Sequence, residues 1–98
     1  MGSEPRRRPV TDTYLDAVQR AADAPGRWID IPRTFKSESN ASITGYCLRE
    51  GYLRVEPRPG EPSVRVAGKS YLALRTPVEA EHRETADGWV LRIRTSPE

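Results

Sequence analysis

The stretch from Gly26 to Gly51 constrains the fold more than any other part of this chain, because it combines a strand pattern with a capped helix. Its first half alternates apolar and polar or proline positions, the pattern of a strand with one buried face, and the apolar positions are Ile29, Ile31 and Phe35. Arg33 interrupts this pattern on the apolar side. Pro32 cannot donate a ladder hydrogen bond, so we expect this strand to lie at a sheet edge or to bulge there.

The second half of the stretch predicts a helix over about Asn40 to Glu50. Ser37 or Ser39 can accept from the free N–H groups of the first turn, and Gly51 suits the left-handed position after the last turn. Small residues dominate this helix, which would let it lie close against a sheet. The alternative is that its small polar face approaches a phosphate.

A second helix is predicted from Thr11 to Ala24, where Pro25-Gly26 ends it. Its apolar stripe is thin and consists of Leu15, Val18 and Ala22, with Tyr14 and Ala21 beside it. We therefore expect this helix to cover the domain and to contribute little to the core. After the central unit, Tyr52 to Glu56 reads as a strand with Leu53 and Val55 facing inward and Tyr52 outward.

A hairpin is predicted from Ser63 to Leu74, after a proline-rich loop at 57–62. With Gly68-Lys69 as a type II′ turn, Val66 would face Tyr71. A turn at Ala67-Gly68 would give other partners, and the sequence does not exclude it.

The last hairpin is predicted to turn at Asp87-Gly88, a preferred type I′ pair. This turn would set Glu84 opposite Leu91 and place Arg83 opposite Arg92, a like-charge pair with glutamates as diagonal neighbours. One face of the hairpin would be apolar and include His82, and the other would be charged and solvated.

The net charge of +2 comes from the N-terminus, where Arg6, Arg7 and Arg8 outnumber Glu4. Residues 1–10 contain two prolines and almost nothing to bury, so we predict a disordered basic arm there and a single domain over residues 11–96. Triple arginine can add salt-dependent contacts to nucleic acid or to an acidic partner.

No residue pattern specifies an enzyme. One histidine, His82, and one cysteine, Cys47, give no metal-ligand spacing, and phosphate-loop and nucleophile-elbow patterns are absent from the sequence. We predict a non-enzymatic protein with no cofactor and no small-molecule substrate. A single cysteine favours a reducing, cytoplasmic setting, and no apolar run has the length of a membrane span.

Three features carry a resemblance: the Gly26-Arg27-Trp28 start, the Ser- and Ala-rich helix closing on Leu48-Arg49-Glu50-Gly51, and Gly88-Trp89 in the last strand. With these, the run from Gly26 to about Arg94 resembles short proteins of unknown function encoded in high-GC bacterial phages, plasmids and integrated elements. The resemblance implies an accessory or regulatory role and names no site residue.

The fold expected is α+β, with an N-terminal helix followed by β-α-β-β-β-β and a small, mostly antiparallel sheet that carries a helix on one face. The expected function is regulatory binding of nucleic acid, because of the arginine tail and the basic cluster that flanks the central helix, whereas the neutral body of the chain favours the alternative below. The alternative is a protein-binding adaptor or inhibitor that self-associates, as a dimer, through an edge strand. The candidate nucleic-acid-binding residues are Arg6, Arg7, Arg8, Arg33, Lys36, Arg49, Arg54 and Arg58.

Overall fold

The computed structural model describes residues 9–96, which form two helices and two small antiparallel sheets. The helices are α1 (Pro9–Asp23) and α2 (Glu38–Glu50), and the strands are β1 (Ile29–Phe35), β2 (Tyr52–Leu53), β3 (Ser63–Val66), β4 (Lys69–Ala73), β5 (Glu79–Thr85) and β6 (Gly88–Arg94). One sheet has the order β1-β6-β5 and the other β2-β4-β3. The α+β class is confirmed. Within the described residues, five strands rather than four follow α2, and the strands divide between two sheets.

The central strand and helix form as the sequence predicts. The Ser37 side chain accepts a hydrogen bond from the Asn40 N–H at 3.3 Å, and Gly51 ends α2 in the left-handed conformation with φ 92°. α2 begins at Glu38, slightly before the predicted start. β1 lies at the edge of its sheet, and its register against β6 shifts between Asp30 and Thr34, so both expectations for Pro32 are confirmed.

Both helices pack on the β1-β6-β5 sheet. α2 lies close to β6 because Ala41 and Gly45 are buried there, and a Cβ at Gly45 would lie 3.3 Å from Leu91 Cδ2. This confirms that small residues serve close packing on that face of α2. Four of the largest side chains in this core are fully buried: Ile31, Leu48, Leu91 and Ile93.

α1 belongs to the core, and the expectation that it contributes little was wrong. Tyr14, Ala17 and Ala21 are buried together with Val18, and α1 contacts β1 and β6. The reason is that the two alanines let the helix approach the sheet while the Tyr14 ring fills the remaining space. α1 also begins at Pro9, so the last two residues of the predicted arm are helical, whereas residues 1–8 lie outside the described part of the chain.

The first hairpin turns at Ala67-Gly68, which have φ angles of 52° and 82°. Val64 therefore pairs with Tyr71 and Val66 with Lys69, and the expected turn at Gly68-Lys69 was wrong. Positive φ at both turn positions matches the twist of the flanking strands, even though alanine is strained there. The strand predicted over Tyr52 to Glu56 is only two residues long, because the chain bends where the Val55 N–H donates to the Leu53 carbonyl at 2.8 Å. Tyr52 is buried, so the expectation that it faces outward was wrong.

The last hairpin turns at Ala86-Asp87, so its register differs by two residues from the predicted one. The Thr85 hydroxyl donates to the Gly88 carbonyl at 3.0 Å and accepts from the Asp87 N–H at 3.3 Å, which fixes this turn. A shift of two keeps every side chain on its predicted face. The predicted Arg83–Arg92 pair was wrong: Arg83 pairs with Val90, while Arg92 and Arg94 form ion pairs with Glu81 and Glu79, their cross-strand partners.

Within residues 9–96, neither helix is long and apolar enough to cross a membrane.

Candidate functional site

An open groove of about 440 Å³ lies where β1, the first half of α2 and the β2-β4-β3 sheet meet. We call it the Arg33–Arg54 groove. Its lining residues are Arg33, Phe35, Asn40, Ile43, Thr44, Arg54 and Tyr71. Two of the predicted arginines, 21 residues apart in sequence, thus meet in one concave site with an aromatic ring and an amide.

Arg33 is held at the groove by two aromatic rings. Its Nη1 donates to the Tyr14 hydroxyl at 2.9 Å, and its guanidinium carbon lies 4.8 Å from the centre of the Phe35 ring and 5.9 Å from that of Tyr14. Burial raises the pKa of Tyr14, and the positive charge of Arg33 partly opposes this rise. The interruption of the β1 pattern at Arg33 therefore has a structural cause: the side chain lies over aromatic rings at the surface.

Arg54 follows β2 and is exposed. The interaction with Tyr71 raises the pKa of Arg54 above its ordinary value. Tyr71 in turn stacks on the buried Tyr52 ring, with ring centres 5.6 Å apart and planes within 9° of parallel. The interaction with Cys47 raises the pKa of Tyr52. The stack on Tyr52 holds the Tyr71 ring at the groove.

The charges of Arg33 and Arg54 are not neutralised by carboxylates. In the described part of the chain, the arginine ion pairs within 4.0 Å join Arg20 to Asp16, Arg92 to Glu81 and Arg94 to Glu79. All three pairs lie outside the groove, where Arg33 has the Tyr14 hydroxyl as its partner and Arg54 lies with Tyr71 in the lining. Although the chain is nearly neutral, this groove concentrates positive charge.

The groove continues toward the start of α1. A neighbouring depression of about 150 Å³ shares Arg33, Thr44 and Arg54 with it and is also lined by Val10 and Tyr14. Pro9 and Val10 line a further shallow site together with Arg33. Arg6, Arg7 and Arg8, the predicted arm residues, lie outside the described residues, but they directly precede Pro9 in the sequence.

The other predicted residues have different environments. Lys36 is exposed directly after β1 but does not line the groove. Arg49 Nη1 donates to the Ala80 carbonyl on β5 at 3.1 Å, so Arg49 links α2 to a strand. Arg58 lies in the 57–62 loop, where its backbone N–H donates to Glu61 Oε1 at 2.7 Å and its Nη2 is buried. Of the five predicted residues that the structure describes, Arg33 and Arg54 line the groove and the other three do not.

Sequence reasoning missed Phe35, Asn40 and Thr44 as lining residues. Phe35 fits the core pattern of β1, and Asn40 and Thr44 fit a small-residue helix, so each has a structural explanation that hides its position at the groove. The detectable signal was Arg33 at an apolar position of a strand.

The two residues with reactive side chains lie apart from the groove or beneath it. His82 Nε2 is 3.3 Å from Glu38 Oε2, at the start of α2. Cys47 is buried and free. Comparisons of the chain with protein-family models, curated proteins and solved structures find no match. Function must therefore be inferred from the groove itself.

Proposed function

We propose that this protein is a non-enzymatic, cytoplasmic binding module that takes single-stranded nucleic acid in the Arg33–Arg54 groove. The observation that carries the proposal is the convergence of two guanidinium groups, both without a carboxylate partner among residues 9–96, beside the Tyr71 ring. A regulatory or accessory role in a bacterial mobile element is the role that the resemblance implies.

The lining residues supply the contacts that single strands use. Guanidinium groups bind phosphate oxygens in bidentate geometry, and an aromatic ring stacks with any base. Tyr71 is half-buried and already stacked on Tyr52, so it offers a rigid platform. The Asn40 amide can donate and accept at a base edge.

The shape of the site favours a single strand over a duplex. Direct readout of B-DNA requires an element that protrudes into the major groove, whereas this site is concave and about 440 Å³ in volume. α2 turns its small residues toward the sheet and exposes Ile43 and Tyr46, not a row of cations. An unpaired nucleotide is a suitable ligand for such a site.

The test is a salt titration of binding to labelled single-stranded DNA and RNA, followed by fluorescence anisotropy. Replacing Arg33 and Arg54 with glutamine removes two phosphate contacts, so the slope of log K against log salt should fall by roughly 1.4. The matched control replaces Arg20 and Arg83, which are exposed outside the groove, with glutamine. Equal loss in both double variants would show non-specific attraction and would refute the site.

Two further variants separate stacking from charge. Tyr71→Leu should weaken binding by about 1–3 kcal/mol, the value of one stacked base, while leaving the salt slope unchanged. Replacing Arg6, Arg7 and Arg8 with alanine should flatten the salt slope if the arm contributes phosphate contacts. An unchanged slope would remove the arm from the proposal and leave the groove in place.

The alternative of self-association through an edge strand gains no support at β1. Pro32 and the register shift interrupt that edge, and Ile31 is only 2% exposed, so a charged residue there would disrupt the core. Another strand edge is better suited than β1 to bind a protein partner.

A further inference from the structure

β3 is the outermost strand of the β2-β4-β3 sheet, and its pairing shows which backbone groups face outward. The two-residue turn at Ala67-Gly68 makes Val66 and Lys69 a hydrogen-bonded pair, so Val64 and Val66 direct their N–H and C=O groups toward β4. Pro62 also directs its carbonyl toward β4, since this carbonyl accepts from the Ala73 N–H at 3.0 Å. The N–H and C=O groups of Ser63 and Arg65 therefore point away from the sheet.

The other strand edges of the described chain are less open to pairing than β3. β1 carries Pro32 and a bulge, and β2 is only two residues long. On β5, the Ala80 carbonyl already accepts from Arg49 Nη1 at 3.1 Å. β3 has no proline and no register shift, and Ser63, Val64 and Arg65 are exposed. It is the edge best suited to receive another strand.

Charge indicates what kind of strand would fit. The segment from Ser63 to Arg75 contains the cations Arg65, Lys69 and Arg75 and no acidic residue. Arg65 Nη2 donates to the Gly68 carbonyl at 3.0 Å, which keeps the positive charge beside the hairpin turn. An added strand with acidic side chains would face Arg65 across the new pair, with Lys69 at the nearby hairpin turn.

A second copy of β3 fits this edge less well. Outward-facing residues must pair with outward-facing residues, so an antiparallel copy that pairs residues 63–65 with residues 63–65 of the other molecule puts Arg65 opposite Ser63. The two Arg65 side chains are then diagonal neighbours about 7–8 Å apart, which brings like charges together.

We propose that the outer edge of β3 receives an extended acidic segment of a partner protein as a fourth strand of the β2-β4-β3 sheet. The backbone groups of Ser63 and Arg65 supply the hydrogen bonds, and the Arg65 side chain selects acidic residues. This interaction surface is separate from the Arg33–Arg54 groove and does not depend on nucleic-acid binding.

The test uses two end-blocked pentapeptides, one alternating valine with glutamate and the other alternating valine with lysine. Each is titrated into the ¹⁵N-labelled protein and followed by NMR, with the protein's mass in solution recorded at the same concentration. The acidic peptide should shift the amide signals of Ser63 and Arg65 and bind at least about fivefold tighter than the basic one. No shift at these two amides, or equal binding of both peptides, would overturn the proposal.

Three variants make the test specific. Ser63→Pro removes one outward N–H while leaving the β3–β4 ladder intact, and it should weaken the acidic peptide about threefold to tenfold, as expected for one lost hydrogen bond. Arg65→Glu should abolish the preference for the acidic peptide. Arg83→Glu makes the same charge change at an exposed residue of β5 and should preserve this preference. Equal effects of the two charge reversals would mean bulk attraction. A dimer whose mass falls to that of a monomer in Ser63→Pro would show that a second copy occupies the edge and would also overturn the proposal.

Discussion

Gly88, the first residue of β6, lies against the end of β1, and its replacement by alanine tests how closely these two strands approach. Gly88 has φ 137°, a conformation that side-chain-bearing residues rarely adopt. A Cβ there would lie 2.5 Å from the Phe35 carbonyl oxygen and 2.9 Å from Thr34 Cγ2. Because the nearest atom belongs to the backbone, the clash cannot be relieved by rotating a side chain.

The magnitude follows from two separate costs. Overpacking costs about 1–3 kcal/mol, and a strained backbone angle costs about 1–3 kcal/mol. Gly88→Ala should therefore lower the free energy of unfolding by roughly 2–6 kcal/mol, a large part of the 5–15 kcal/mol typical of a domain. Gly60→Ala is the matched control, since Gly60 also has a positive φ, 86°, but its Cβ would meet no atom within 4 Å.

Urea denaturation of both variants separates the two costs. Gly60→Ala should show the strain alone, so Gly88→Ala should be less stable than Gly60→Ala by about 1–3 kcal/mol, the overpacking cost. Because Phe35 supports the Arg33 guanidinium, the Phe35 and Arg33 amide signals should also shift in Gly88→Ala only. Equal stability of the two variants would refute the close approach of β6 to β1.

Two further predictions concern Arg49 and Tyr14. Arg49→Met removes the hydrogen bond to the Ala80 carbonyl and should lower the free energy of unfolding by about 1 kcal/mol in urea denaturation. It should also let two molecules associate through the uncovered β5 edge, which would raise the mass measured in solution. An unchanged mass would show that Arg49 does not protect this edge. Burial raises the pKa of Tyr14 above its ordinary value of 10.0, so the unfolded chain loses this proton at a lower pH than the folded chain, and stability should fall as the pH rises above about 10. In Tyr14→Phe this alkaline loss should be shallower when urea unfolding is repeated from pH 8 to 11, and an identical slope would contradict the assignment.

The local structure could be predicted where a single residue determines it. Pro32 marked an edge strand, and Ser37 and Gly51 bounded α2, because a missing N–H, a capping hydroxyl and a left-handed angle act within a few residues. Hairpin register was harder. Asp87-Gly88 favours a type I′ turn, but the Thr85 hydroxyl bonds and the charge pairs of Glu79 and Glu81 with β6 stabilise a turn one residue earlier.

The candidate site could be predicted only in part, because its members come from elements that tertiary packing brings together. Arg33 and Arg54 were identified as cations, but their proximity depends on how the β2-β4-β3 sheet meets β1 and α2. Tyr71 enters the groove where β4 pairs with β2 and the Tyr71 ring stacks on Tyr52, a pairing between strands that are 15 residues apart in sequence. No local pattern contains this information.

The arginines differ in the chemical group that each one contacts. Arg92 and Arg94 bind carboxylates and also lie 4.6 Å and 4.5 Å from the centre of the Trp28 ring, so their charges are neutralised where they support the solvated face of the sheet. Arg33 instead donates to the neutral Tyr14 hydroxyl, which orients the guanidinium without cancelling its charge. We propose that the tyrosine partner of Arg33 leaves positive charge in the groove available to an anionic ligand, although the net charge of the chain is only +2.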